Sequence, residues 1–139
     1  MNKSHSTMAQ QVARAASAFE QRRTGHVPRW VTVALGGDTL VITVHGALSP
    51  AERALARTPA GAAQVQEFHR SLFDNAADGL RQEIKRITGV EVREATAEVE
   101  TATGTVVQVF ATGTVVQVFL LTGRVEPDTW DGRGSGVPE

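Results

Sequence analysis

Apolar residues recur along this chain with two periods, and the switches between them divide it into elements. From Thr7 the spacing Met8, Val12, Ala15, Phe19 repeats every three or four residues, which predicts an amphipathic helix with one apolar stripe. It ends at Arg22 and Arg23, where positive charge suits a helix C-terminus, and at Gly25. Two β-branched runs, RWVTVAL (29–35) and TLVITVHGAL (39–48), flank Gly36-Gly37-Asp38, the composition of a hairpin turn that needs positive φ, and predict two antiparallel strands. Ser49, Pro50 and Glu52 then supply a hydroxyl cap, a proline at the first helical position and the carboxylate of a capping box, so a short helix starts at Pro50 and stops before Pro59.

The longest periodic stretch runs from Ala62 to Thr88. Val65, Phe68, Leu72, Phe73, Ala76, Leu80, Ile84 and Ile87 share one broad helical face, while Glu67, Arg70, Asp74, Asp78, Arg81 and Lys85 occupy the other. This predicts a helix laid on a sheet with its charged side in water. Gly79 lowers helix propensity in its middle by about 1 kcal/mol relative to alanine and invites a bend there, and Gly89 supplies the C-cap.

After Gly89 the period falls to two. VEVREATAEVET predicts a weaker strand over 90–101 with a polar edge character. There follows one nonapeptide, ATGTVVQVF, written twice without a mismatch as Ala102–Phe110 and Ala111–Phe119. Each copy reads as a three-residue turn with glycine at its left-handed position, Gly104 or Gly113, plus one strand. The prediction is a meander with turns at 102–104 and 111–113 and strands at 105–110 and 114–121. Phe110 would lie opposite Thr114, Val106 against Val118 and Val107 against Gln117. Both faces of that hairpin carry valines, so both need cover, and a second copy of the protein could give it through Val106, Phe110, Val115 and Phe119. The alternative is exchange, in which either copy fills one place in the sheet and the other loops out.

The fold class expected is therefore α+β: an antiparallel sheet of about five strands, hairpin plus C-terminal meander, with the long amphipathic helix packed on one face. At 139 residues the chain suits a single domain, placed at 7–123 between a flexible N-terminus (1–6) and a flexible, Gly- and Pro-rich tail (124–139) in which Trp130 either tucks onto the domain or serves as a binding peg. A formal net charge of -1 disfavours nucleic acid as a partner. The absence of cysteine removes thiolate chemistry, disulfides and cysteine-ligated zinc. The N-terminus lacks the apolar segment of a signal peptide, and no run of about 18 apolar residues occurs, so a cytoplasmic location is expected.

His69 stands out among the candidate chemical residues because it sits in the middle of the long helix's apolar face. A lone histidine there is most often a hydrogen-bonded core residue, with a titrating switch or ligand as the sharper alternative. Glu83 shares that face but lies about 21 Å along the axis, so the two could meet only between two copies of the helix crossing antiparallel near Ala76 and Gly79, whose small size would let backbones approach. His5, His26 and His45 show no metal-ligand spacing. No HExxH, P-loop or GxSxG pattern occurs, and Gly36-Gly37 lacks the following helix that phosphate binding needs. Ser49 and Ser71 have capping or surface roles, and Glu91, Glu94, Glu98 and Glu100 read as a solvated strand edge. No catalytic residue, cofactor or metal is assigned, and the chain is not expected to be an enzyme.

The order helix, hairpin, LSPAERALA, long helix, sheet resembles the MpsC-like family of small bacterial proteins. The residues that carry the likeness are TGHVPRWVTVALGGDTLVITVHGALSPAERALA, LRQEIKRITGVEV and the closing VVQVFLL, within residues 9–121. In that family the last hairpin is shorter, so the doubled nonapeptide is an elaboration. The resemblance implies a non-enzymatic cytosolic accessory or interaction protein near membrane machinery for ion or inorganic-carbon uptake, and it carries over no catalytic residue. A homo-oligomer held by the long helix and the doubled hairpin is the leading expectation. A small-ligand or pH-sensing module centred on His69 is the alternative.

Overall fold

The computed structural model describes residues 7–36, 39–111 and 121. In chain order it runs α1 (Met8–Thr24), β1 (Trp30–Gly36), β2 (Thr39–His45), α2 (Pro50–Leu55), α3 (Pro59–Thr88), β3 (Glu94–Glu100) and β4 (Thr105–Ala111). The class is α+β, with four antiparallel strands among the described residues in the order β1-β2-β4-β3. The expected fifth strand falls, apart from Leu121, outside the described residues.

Local signals set the element ends. Thr7 accepts from the Gln10 backbone and Gln10 reaches back to Thr7, a capping box that starts α1, while Gly25 closes it at φ 75. Ser49 and Glu52 form the predicted box at the start of α2. Thr58 and Pro59 open α3 three residues earlier than the apolar period suggested. Gly61 is required in that first turn, because a Cβ there would lie 1.8 Å from the carbonyl oxygen of Leu55. Gly79 does not interrupt α3, which is one helix of 30 residues.

Period two governs the sheet. Leu40, Ile42 and Val44 of β2 face the helices, aligned with Val106 and Gln108 of β4, with Ala95, Ala97 and Val99 of β3, and with Val31 and Val33 of β1. Val12 and Ala16 of α1 and Val65, Phe73, Leu80 and Ile84 of α3 close the core over that face. The opposite side of β4 is also covered, with Val107 and Val109 buried, as expected for this segment.

Three expectations change. First, β4 is a central strand. Both of its edges are taken, by β2 and by β3, and Ala111 continues the strand opposite Thr39 and Glu94 where a turn was expected. Val106 therefore pairs with Val44 and Val99, and no edge of β4 remains for residues 114–119. The physical reason is that the apolar run of β2 needs a partner on each side, and the first nonapeptide matches it residue for residue. Second, the buried line of α1 is Val12, Ala16 and Glu20, an i, i+4 row that leaves Ala15 and Phe19 only partly buried, and Met8, its first-turn member, is exposed. Third, Phe68 is 51% exposed, since it sits about 100° around α3 from the stripe centred on His69.

Because residues 114–119 repeat residues 105–110, they offer β2 and β3 the same side chains in the same register. Val106→Asp is thus expected to lower the thermal midpoint less than Val44→Asp, its neighbour across β2, for which an unpaired buried carboxylate should cost roughly 3–5 kcal/mol. Val106→Asp/Val115→Asp should lose as much as Val44→Asp. Melting curves of the three variants decide it, and equal losses for Val106→Asp and Val44→Asp would show that the first copy alone fits.

Candidate functional site

The buried stripe of α3 runs Gly61, Val65, His69, Phe73, Ala76, Ala77, Leu80, Ile84, and His69 is its one titratable member. Helical spacing places it between Val65 and Phe73, where an imidazole needs a polar partner to be tolerated. The partner comes from α2. Glu52 Oε1 accepts from the Ser49 N–H at 2.9 Å to close the capping box, and its Oε2 lies 2.8 Å from His69 Nε2. Burial alone would raise the Glu52 carboxyl, but the Ser49 N–H and the His69 ring outweigh it and hold Glu52 below the ordinary carboxylate value. An ionised Glu52 accepts only, so Nε2 is the nitrogen that donates. The Phe68 ring meets the imidazole edge-on, with centroids 5.6 Å apart.

A second carboxylate reaches the same region from α1. Glu20 is 6% exposed. Burial pushes its carboxyl above the ordinary value, only partly countered by His69, Arg23 and His26, while Glu52 adds to the rise. Arg23 lies over the Phe19 ring at 4.4 Å, and its Nε has no hydrogen-bond partner among the described residues. From β4 comes Gln108, 4% exposed, whose Oε1 is likewise unpartnered there.

Glu20, Arg23, His69, Phe73, Val106 and Gln108 together line a cavity of about 10 Å³. That is close to the room one water needs, and the polar atoms around it are the kind a buried water serves. An organic ligand does not fit. The arrangement gathers an imidazole and two carboxyl groups in a packed interior.

The other candidates are placed elsewhere. Glu83 bonds Arg86 on the same helix, with Arg86 Nη2 at 2.6 Å, and that bond holds Glu83 below the usual carboxylate range. His69 and Glu83 thus each have a partner within one chain. Ala76 is buried, and Gly79 faces α1, where an added Cβ would stand 3.4 Å from the Phe19 ring. Gly79 thus lies against α1. Val106 lies in the core, the side chain of Phe110 is not described, and Val115 and Phe119 lie outside the described residues. His26 Nε2 is 3.0 Å from the Gly46 carbonyl oxygen, and His45 stacks on Trp30. Among the described residues no group of three His, Asp or Glu could hold a metal ion.

Sequence reasoning passed over Glu20, Glu52 as a partner of His69, and Gln108. Two of these carry a legible signal. Glu20 continues the Val12–Ala16 row, and Gln108 shares the parity of Val106 and Phe110, so each is a polar residue on a buried period. Nothing local joins Glu52 to a residue one helix further on.

Over residues 4–114 the chain matches the family described as Na+-translocating membrane potential-generating system (MpsC). It is similar to the uncharacterized protein YbcI of Bacillus subtilis (strain 168), 24% identical over 110 residues that make up 79% of this chain and 89% of that protein. No solved structure matches.

His69→Ala removes the partner of a carboxylate and opens a hole in the α3 stripe. Its unfolding free energy in urea should fall by about 3 kcal/mol. Glu83→Ala, at an exposed ion pair, should change it little. The two effects should add, and a coupling between them would restore the pairing of His69 with Glu83.

Proposed function

The chain belongs to the MpsC family, and from that premise we propose that it is a non-enzymatic accessory module of a membrane ion-transport system whose packing responds to protons. The observation that carries this reading is the burial of Glu20 beside the His69–Glu52 pair, at the seam where α1, α3 and β4 meet. The family description supplies the setting, a system that translocates Na+ and generates membrane potential. Among the described residues no helix is long and apolar enough to cross a membrane, and the reading assigns the chain a peripheral, cytoplasmic contact with a membrane protein complex. Of the two forms a regulator could take, the water-sized cavity favours proton sensing over an organic ligand.

The signs of the two carboxyls are opposite. Glu20 is raised, so the stability it contributes is complete below the unfolded value near 4.5 and is lost as pH rises through its higher folded value. Glu52 is lowered, so its contribution is present above that unfolded value and is lost as pH falls through the folded one. Raising the pH therefore loads charge onto Glu20 and weakens the seating of α1, while strong acid weakens the link from α2 to α3.

Urea unfolding of the intact chain and of Glu20→Gln, from about pH 5 to about pH 8, tests this directly. Glu20→Gln should differ least from the parent at the acid end and exceed it increasingly toward alkaline pH. Profiles that run parallel would remove Glu20 as a sensor and leave a plain interaction module.

A further inference from the structure

The two edges of the sheet are built differently. β3 carries Glu94, Glu98 and Glu100. Gln66 of α3 donates to the Val99 carbonyl oxygen at 3.3 Å, and Arg70 reaches Glu98 at 3.6 Å. Charge and a side chain bonded to the backbone are devices that stop another strand from joining. β1 has none of them. From Trp30 to Gly36 it holds no charged residue, no proline and no bulge, its register with β2 is unbroken over seven residues, and β2 is its one strand neighbour among the described residues. Trp30 and Leu35 stand 49% and 42% exposed on it.

We propose that β1 is the interface of a homodimer, in which two copies pair antiparallel through their β1 edges into one continuous sheet of twice the width. The occupant is a second copy because the strand complements itself about a two-fold axis at Val33. With Val33 opposite Val33 of the partner subunit, Val31 meets the partner's Leu35 on the face that the helices cover. Thr32 meets the partner's Ala34 on the other face. Trp30 then lies over the partner's Gly36, where nothing stands within 4 Å of the missing Cβ, and an aromatic ring covering a cross-strand glycine is a stabilising sheet pair. An axis perpendicular to the sheet keeps both helical layers on one side, so the apolar face continues from one copy into the next. Trp30 is already set in place by stacking on His45 at 4.5 Å, with the Arg29 guanidinium 5.3 Å from its ring.

The test uses the intact chain. Light scattering should give the dimer mass. Thr32→Lys/Ala34→Lys, at two exposed positions, should halve that mass while leaving the circular dichroism spectrum unchanged. Mixing it with Thr32→Glu/Ala34→Glu should restore the dimer, since opposite charges then face each other across the axis. The chain has no cysteine, so Val33→Cys gives an independent check of register. It should oxidise to a covalent dimer, and Thr32→Cys should not. A monomer at every concentration overturns the proposal and leaves the edge to an extended segment of another protein. A dimer that survives the paired lysines overturns it as well.

Discussion

Glu52 is the residue on which the packing of this chain turns. One carboxylate closes the N-terminus of a helix too short to be stable alone and meets the imidazole at the centre of the long helix. Without it, α2 would lose one of the two bonds of its capping box and α3 would carry an unsatisfied ring in the middle of its buried stripe. Through Glu52 the polar residue that the core can least tolerate becomes the one that joins two helices.

The same imidazole sets the conditions for α1. That helix docks on α3 with Val12 and Ala16, and the next residue in the row is Glu20, which enters the core beside His69 and Gln108. A buried carboxyl is costly when ionised and tolerable when neutral. In the proposed reading the seam's stability depends on where a proton sits, whereas the sheet beneath it meets the helices with Leu40, Ile42, Val44 and Val106, none of which titrates. Proton-dependent packing over an apolar sheet face is the combination that a regulatory accessory protein can use.

Placing the first nonapeptide in the middle of the sheet also decides which surfaces remain. A strand has two edges, and β4 spends both on β2 and β3. β4 cannot then serve as a pairing edge, and among the described residues β1 is the edge strand at the far side of the sheet from the acidic, side-chain-guarded β3. Gly79 likewise lies against Phe19 of α1.

Element types and most of their ends were determined by the sequence alone, because they depend on short-range chemistry. The boxes at Thr7–Gln10 and Ser49–Glu52, the closing glycines 25 and 89, and the switch from helical to strand period each act within a few residues. His69 as a core residue in need of a partner was legible for the same reason. Which carboxylate would meet it, which neighbours β4 would take, and whether small residues on α3 would face α1 or another molecule were decided only by the tertiary structure. Those choices compare contacts between elements far apart in sequence, and local patterns such as a valine parity or an alanine-glycine patch are compatible with several partners until the layers are stacked.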